Sequence, residues 1–525
     1  MRDLHLPGRS PVLATNGMAA TSHPLASLTA VEMLKAGGNA VDAAIAAAFV
    51  LCICEPQMTG LGGDCFALVR PAGGGNIVAL NGSGRSPAGY SAQALRARGL
   101  TRVPTEGADA VTLPGMVDAL CRLAADWGRM PLADCLAPAI RYAEEGVPVA
   151  PRVAFDWASD GHRLTGAARR FYLRDGAPPA AGQIFRAPGQ AEVMRRIARE
   201  GRAGFYDGEV ARDLIGTLQA LGGTHTPDDL AATACAYAEP VTGRFAGHEL
   251  AEHPPNGQGA TAILMLDILS RFDLAALDPR GADRAHLEAE AAKLAYEARD
   301  RFIADPDRTA RLGHMLAPET ADRLAGLIDM KRAAPAPDPR PEAVHRDTVY
   351  LAVADRDRMA VSLICSIYWG FGAGIASDRF GILYQNRAAG FTLTPGHPNE
   401  AGPARRPMHT IIPAMLRGPG MTLPFGVMGG AFQPAGHARL VTNHLTYGMD
   451  LQAAIDAPRS FPRPEGLAVE RGYDQAVRDD LAARGHRVFV PDEPLGGAQA
   501  ILIDEGRGLL TAGSDPRKDG CALGW

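Results

Sequence analysis

The stretch HRDTVYLAVADRD, residues 345–357, marks an abrupt change in the character of the chain. It follows KRAAPAPDPRPEAV, where four prolines stand at every second place, so that this stretch favours neither a helix nor a paired strand. From residue 349 the side chains Val, Leu and Val alternate with Tyr, Ala and Ala, as in a strand. A DRDR turn follows, and MAVSLICSIY returns as a second strand. The pattern predicts a buried β-hairpin that begins close to Thr348, directly after an exposed and cleavable connection.

Thr348 also offers chemistry, because its β-hydroxyl stands beside the carbonyl of Asp347. Attack of that hydroxyl on the carbonyl would give an ester, and hydrolysis of the ester would leave Thr348 as a new N-terminus. The freed α-amine, with an ordinary pKa of about 8, would then act as the base for the hydroxyl of the same residue. Threonine is equally a good strand former, so a purely structural role remains open at this point.

Composition and charge restrict the class of protein. Of the 525 residues 46% are hydrophobic and 21% charged, and the net charge is −5 without any basic block. These values indicate a folded protein with small-molecule partners and no nucleic acid. The N-terminus lacks the apolar core of a secretion signal, and the longest apolar run, residues 43–54, is too short for a bilayer. The sequence therefore predicts a cytoplasmic protein without a membrane anchor.

The remaining pattern predicts helices early in the chain and strands late. One helix is expected to end at Lys35–Ala36 and a second, apolar nearly all round, to begin at about Ala40. A glycine turn and a strand follow it, in GLGGDCFALV, which is the wrong order for a phosphate-binding loop. Further strands are expected in FGILYQN, HTIIPAML, LPFGVMGG and QAILIDE. This order favours a layered α+β or αββα fold.

Two further sets of residues are candidates for an oxyanion hole and for a metal site. Gly429 and Gly430 follow a strand and precede a helix, so that their adjacent N–H groups suit an oxyanion hole, although such a pair is also a common turn. His437 and His444 lie two turns apart on a predicted helix, but no carboxylate motif accompanies them. The eight cysteines are scattered without a C-x-x-C motif. We therefore expect no metal and no other cofactor.

Several motifs together resemble the γ-glutamyltranspeptidase (γ-glutamyltransferase) family of N-terminal-nucleophile amidohydrolases. The resemblance covers nearly the whole chain and rests on GGNAVDAAIAAAF, GLGGDCFAL, LPGMVDAL, GFYDGEVA, PPNGQGA, EAAKLAYEARDRF, DTVYLAVADRD, GILYQN, RRPMHTIIPAM, MGGAFQP, DAPRSF and SDPRKDGCALGW. It implies a four-layer αββα sandwich made by an inactive precursor. That precursor would cut itself between Asp347 and Thr348 into a large chain, 1–347, and a small chain, 348–525, which together form one domain. A homodimer of processed protomers stays open.

The resemblance also implies roles for individual residues. Thr348 would be the nucleophile, Gly429 and Gly430 the oxyanion hole, and Ser366 a second hydroxyl near the amine of the nucleophile. Met408, His409 and Thr410 occupy the place where glutathione-handling members carry a pair of serines that contact substrate. The predicted substrate-binding residues are Arg85, Arg387, His409, Thr410 and Tyr368.

Two departures from the family pattern concern the recognition of an amino acid. Ser83 stands where glutathione-handling members grip the substrate α-carboxylate with an arginine, and Arg85 lies two places further on. Gly390 stands where they hold the α-ammonium with an acidic residue, and Arg387 precedes it. An arginine there disfavours a substrate ammonium and suits a substrate carboxylate.

We therefore expect an amidohydrolase or acyltransferase that forms an acyl-Thr348 intermediate from a small, carboxylate-bearing amide. The match is nearer to the branch that contains oxamate amidohydrolase than to glutathione hydrolases proper. The alternatives are glutathione hydrolysis or γ-glutamyl transfer, a glutaryl-type acylase, and an uncleaved, inactive binding protein that keeps the fold.

Overall fold

The computed structural model of the chain describes residue 5, residues 8–335 and residues 348–525. Its strands are β1 (Val12–Ala14), β2 (Met18–Thr21), β3 (Asp64–Arg70), β4 (Val78–Gly82), β5 (Val147–Pro148), β6 (Ile184–Phe185), β7 (Ala236–Ala238), β8 (Val241–Phe245), β9 (His248–Glu252), β10 (Val349–Ala354), β11 (Ala360–Ser366), β12 (Ala414–Gly418), β13 (Met421–Met428), β14 (Ser460–Arg463), β15 (Gly466–Val469), β16 (Val488–Phe489), β17 (Gly497–Asp504), β18 (Leu509–Ser514) and β19 (Cys521–Gly524).

The helices lie between these strands along the chain. They are α1 (Pro24–Lys35), α2 (Ala40–Cys54), α3 (Ala92–Ala97), α4 (Met116–Trp127), α5 (Leu132–Glu145), α6 (Pro151–Asp160), α7 (Gly166–Tyr172), α8 (Pro188–Glu200), α9 (Ala203–Tyr206), α10 (Gly208–Ala220), α11 (Pro227–Ala231), α12 (Gly259–Leu269), α13 (Ala282–Phe302), α14 (Leu312–Met315), α15 (Pro318–Ala325), α16 (Gln433–Leu445), α17 (Leu451–Asp456) and α18 (Gln475–Ala483). Among the helices of the described ranges, none is both long and apolar enough to span a bilayer.

Two seven-stranded sheets form the centre of the fold. The first has the order β1-β18-β17-β13-β12-β9-β8 and the second the order β19-β2-β10-β11-β3-β4-β7. Each sheet combines strands from both sides of the predicted cleavage point. Apolar side chains of both sheets meet in one buried layer that includes Phe66, Tyr350, Ile364, Met415, Met428 and Ile501. The two sheets therefore pack face to face.

Helices cover the outer faces of both sheets. Helices α12 and α16 pack on the first sheet, with α13 against α12, and α1, α2 and α4 pack on the second, with α5 against α2. The prediction of an α+β fold with a four-layer αββα sandwich is therefore confirmed.

Helix α2 shows how the sequence builds the inner part of this arrangement. All fifteen of its residues are buried, as its uniformly apolar sequence predicts. At its start, Asn39 accepts hydrogen bonds from the amides of Val41 and Asp42, and Asp42 accepts one from the amide of Asn39. Such a reciprocal cap stabilises a helix by about 1 kcal/mol.

The hairpin of β10 and β11 has the register that the alternating sequence predicts. Val349 pairs with Cys365 and Ala354 with Ala360, while β2 lies on the other side of β10. Thr348 therefore stands opposite Ser366 at the end of a strand that is hydrogen-bonded on both sides. This position fixes the backbone of Thr348 before any chemistry takes place.

One predicted strand is wrong. The stretch FGILYQN forms only an isolated bridge, between Leu383 and Ala376, and HTIIPAML becomes a strand only at Ala414. The amides of Gln385 and Asn386 donate instead to the carbonyls of Gly62 and Ile367, which lie in loops. The chain therefore runs past the end of the hairpin and delivers Arg387 to it.

Candidate active site

Thr348 is fully buried at the end of the central hairpin. Its Oγ1 lies 3.4 Å from Oγ of Ser366. The amide of Tyr368 donates to Ser366 Oγ at 2.9 Å, and this contact fixes the serine rotamer. The structure thus brings together two hydroxyls that the sequence predicts to be neighbours. Asp347, the other predicted cleavage residue, lies outside the described residues.

Arg387 lies directly beside this pair of hydroxyls and is also fully buried. Its Nη2 donates to Ser366 Oγ at 3.3 Å and its Nη1 to Thr410 Oγ1 at 2.9 Å. Its guanidinium carbon lies 3.9 Å from the centre of the Tyr368 ring, in cation–π contact. Four predicted site residues, Ser366, Tyr368, Arg387 and Thr410, therefore form one cluster at Thr348.

The charge of Arg387 is incompletely compensated by its surroundings. Among the described residues no carboxylate oxygen lies within 4.0 Å of its guanidinium nitrogens, and its buried Nε has no hydrogen-bond partner. Burial lowers the pKa of Arg387 to about 10, so the side chain still carries its charge at neutral pH. Asp64 compensates this charge only from a distance, and a buried cation without a directly paired carboxylate is costly, so an anionic ligand would reduce that cost.

Asp64 and His409 form a second buried pair next to Arg387. Nε2 of His409 lies 3.0 Å from Oδ2 of Asp64, and the Ile411 amide donates to His409 Nδ1 at 3.3 Å. The proton of a neutral His409 ring therefore sits on Nε2 and points at Asp64. Burial raises the pKa of Asp64 to about 6, although the nearby Arg387 charge opposes this rise. The pair orients the segment that carries Thr410.

The raised pKa of Asp64 predicts a specific pH dependence of stability. Folding favours the protonated carboxyl of Asp64. The stabilisation of the folded state by this group is therefore complete below about pH 4 and is lost as the pH rises through about 6. Relative to Asp64→Asn, the wild type should lose on the order of 3 kcal/mol of unfolding free energy between these limits. Urea unfolding of both proteins from about pH 4 to pH 7 measures the difference. A difference that stays constant with pH would contradict the assignment.

Gly429 and Gly430 form the turn between β13 and α16, and both have left-handed backbone, with φ of +116° and +55°. A Cβ at Gly429 would lie 2.9 Å from Cα of Gly496, so that a larger residue does not fit there. The amides of this turn stand at the start of a helix, where N–H groups have no acceptor within the helix. This geometry is compatible with the predicted oxyanion hole.

Gln258 connects this turn to the Arg387 cluster; it lies in the motif PPNGQGA, but the sequence alone indicates no role of its own for it. Its Nε2 donates to the carbonyls of Thr410 at 2.7 Å and Gly430 at 2.9 Å. Its Oε1 accepts a hydrogen bond from Arg299 at 2.8 Å. Because the amide is fixed at both ends, the glycine turn and Thr410 are held at one separation. A continuous chain of polar contacts thus runs from Thr348 to Gly430.

Arg85 is placed differently from the other predicted substrate-binding residues. Its side chain is 37% exposed and pairs with Asp305 at 3.1 Å. It also donates to the carbonyl of Ala404 at 2.9 Å. Neither partner belongs to the cluster around Thr348, and a role of Arg85 in substrate binding stays a prediction.

The surroundings of Gly390 also bear on substrate choice. A Cβ at Gly390 would lie 2.8 Å from the carbonyl oxygen of Met408, so an acidic side chain does not fit without a shift. A cavity of about 280 Å³ borders Gly390 and Met408. Asp300 is the acidic residue among its described lining residues, and it is paired with Arg299 at 2.7 Å.

The two histidines considered as metal ligands in the sequence have separate partners. His437 Nδ1 contacts Oε1 of Glu252 at 2.7 Å, whereas His444 Nδ1 contacts the carbonyl of Met449 at 2.9 Å. The structure therefore does not bring them together.

A buried threonine at the head of a central strand, within an αββα sandwich, is the arrangement of the N-terminal-nucleophile hydrolases. The sequence model of the family described as Gamma-glutamyltranspeptidase matches residues 26–525, and the chain belongs to this family.

Relatives with different activities match almost the full chain. It is 36% identical to the glutathione hydrolase-like YwrD proenzyme of Bacillus subtilis and 35% identical to the oxamate amidohydrolase proenzyme of Klebsiella pneumoniae. Each match covers 98% of this chain and 99% of the relative. The crystal structure of cephalosporin acylase from Bacillus halodurans is similar with a TM-score of 0.92 and 37% identity, over 100% of this chain and 98% of that one. The chain is thus an enzyme of a family of self-processing amidohydrolases and acylases.

Proposed function

We propose that this protein cleaves a small, carboxylate-bearing amide of the oxamate type through an acyl-Thr348 intermediate. The observation that carries the proposal is the buried charge of Arg387. The Ser366 hydroxyl contacts both Arg387 and Thr348, and no carboxylate among the described residues lies within 4.0 Å of the guanidinium. The name of the Klebsiella pneumoniae relative, oxamate amidohydrolase proenzyme, agrees with this chemistry.

The proposed maturation uses the same hydroxyl as the proposed catalysis. Thr348 Oγ1 attacks the carbonyl of residue 347, the amide becomes an ester, and water releases the chains 1–347 and 348–525. The new α-amine of Thr348 then takes the proton of the hydroxyl as this attacks the substrate amide. We assign to Ser366, whose Oγ lies 3.4 Å from Thr348 Oγ1, the role of holding that amine in position.

The acyl transfer needs stabilisation of negative charge on the substrate oxygen. We assign this role to the N–H groups of Gly429 and Gly430, held by Gln258 at a fixed distance from Thr410. The leaving ammonia or amine takes the proton from the α-amine, and water then hydrolyses the acyl ester. An amine acceptor in place of water would give transfer instead of hydrolysis.

The substrate carboxylate is assigned to Arg387. The guanidinium is held between Tyr368 and Thr410, so its planar fork is oriented before a ligand arrives. Thr410 contacts the guanidinium directly, and the preceding residue, His409, is paired with Asp64. A γ-glutamyl donor would bring an ammonium as well, and Gly390 offers it no carboxylate.

A substrate panel tests the proposal. We expect kcat/KM for oxamate to exceed that for oxamide, which lacks only the carboxylate, on the order of a hundredfold or more. Oxamate should also be preferred over a γ-glutamyl anilide, and glutaramate tests a glutaryl-type acyl group. A clear preference for the γ-glutamyl donor would contradict the assignment of Arg387 while leaving the role of Thr348 intact.

A further inference from the structure

Three buried side chains outside the active site point their nitrogen and oxygen atoms at one another. His286 and Glu290 lie one turn apart on α13, and His486 follows α18. His286 Nδ1 is 2.8 Å from His486 Nε2, which is 3.9 Å from Glu290 Oε1. These three ligand atoms all lie within 4.8 Å of one another.

Backbone groups orient two of these side chains. His286 Nε2 is 2.9 Å from the carbonyl oxygen of Asp329, which accepts only, so Nε2 carries a proton. In a neutral ring this leaves the lone pair of Nδ1 directed at the cluster. Glu290 Oε2 accepts a hydrogen bond from the Ala334 amide at 3.0 Å, which turns Oε1 towards the histidines. Outer contacts of this kind orient the ligands of protein metal sites.

We propose that His286 Nδ1, His486 Nε2 and Glu290 Oε1 bind a divalent transition-metal ion, with Zn²⁺ as the best fit. Two imidazole nitrogens and one carboxylate oxygen are a usual zinc donor set. Tetrahedral bonds of about 2 Å require ligand atoms roughly 3.3 Å apart. The 2.8 and 3.9 Å separations need changes of about half an ångström, and the third, which is at most 4.8 Å, needs a change of up to about 1.5 Å. A cavity of about 510 Å³, lined in part by Glu290 and His486, gives access for the ion and a water ligand.

The ammonium group of Lys293 competes with this ion for the Glu290 carboxylate. Its Nζ lies 2.7 Å from Glu290 Oε1 and 2.7 Å from the carbonyl of Ala334. A metal ion would replace the ammonium at Oε1, and Lys293 would keep its contact with Ala334. Arg332, Arg463 and Arg487 also line the cavity and reduce the affinity for a cation.

The position of the site gives the ion a role. His286 and Glu290 precede the proposed cleavage point, and His486 follows it. The Ala333 amide also donates to the Arg484 carbonyl at 2.8 Å, so the end of the first described segment is already fixed here. A bound ion would join chains 1–347 and 348–525 after cleavage. This role rests on the proposed maturation, whereas binding of the ion does not.

Metal titration of untagged, chelator-treated protein tests the site. We expect one Zn²⁺ per chain, measured by competition with a chromophoric chelator, and the visible absorption bands of tetrahedral Co²⁺ when Co²⁺ is added instead. His286→Ala and Glu290→Gln should each lose this equivalent. His162→Ala, which removes an exposed histidine elsewhere, should keep it. Lys293→Met should bind on the order of tenfold more tightly.

Two outcomes would overturn the site. One is wild-type protein that binds less than one equivalent. The other is one bound Zn²⁺ per chain that persists in Glu290→Gln and His286→Ala but disappears in Thr348→Ala. That result would place the ion at the amine of the processed nucleophile. An equivalent retained by the uncleaved Thr348→Ala chain supports the site independently of maturation.

Discussion

Replacing Thr348 with alanine should leave the protein as a single polypeptide of 55.2 kDa and abolish amide hydrolysis. The substitution removes the hydroxyl that we propose both for the attack on the preceding peptide and for the attack on substrate. We expect activity to fall on the order of 10⁴-fold or more, as for other enzymes that lose their nucleophile. Denaturing electrophoresis with N-terminal sequencing measures cleavage, and ammonia release from oxamate measures turnover.

Thr348→Ser provides the matched control because it keeps the hydroxyl and removes only a methyl group. Two chains that begin at residues 1 and 348 should form in the wild type and, more slowly, in Thr348→Ser. Two bands in Thr348→Ala would place the cut or its nucleophile elsewhere. A wild type that never splits would support the inactive binding protein that the sequence left open.

The central hairpin could be predicted from sequence because its information is local. The continuous apolar run of β10 predicts a strand that is buried on both faces, and the turn at residues 355–358 fixes the register that sets Thr348 opposite Ser366. The glycine pair is local in the same sense, since a left-handed turn between a strand and a helix requires it. These features follow from a few neighbouring residues.

The rest of the site depends on contacts between distant parts of the chain. Asp64 and His409 are 345 positions apart, and Gln258 reaches Gly430 across 172 positions. No periodicity in the sequence encodes such pairs. The largely apolar run FGILYQN predicts a strand, yet its amides bond to loops and not to a neighbouring strand. The family resemblance implies a substrate-binding role for Arg85, and in the structure its side chain pairs with Asp305.

The same limit explains why the sequence predicted no metal site. Proximity in the sequence points to His437 and His444 as a candidate ligand pair. His286 and His486 are 200 positions apart and meet only because α13 and the segment after α18 pack together.

Replacing Arg387 with methionine should remove activity towards carboxylate-bearing amides while leaving self-cleavage in place. Methionine keeps much of the apolar length beside Tyr368 but loses the charge and both hydrogen bonds, to Ser366 and Thr410. Because the fork is buried, we expect kcat/KM for oxamate to fall on the order of a hundredfold or more. The value for oxamide should change much less, since it carries no charge to be paired.

Two further variants, Arg387→Lys and Arg85→Met, show whether the carboxylate needs the charge of the arginine, its planar geometry or its position in the site. Lysine keeps the charge but not the planar fork that Tyr368 and Thr410 orient, so it should recover only part of the oxamate activity. Arg85→Met tests the competing assignment, because Arg85 would bind the carboxylate only after leaving Asp305. If Arg85→Met lost the preference for oxamate and Arg387→Met kept it, the carboxylate would bind at Arg85. The ratio of oxamate to oxamide turnover decides this independently of stability, because loss of folded protein lowers both rates equally.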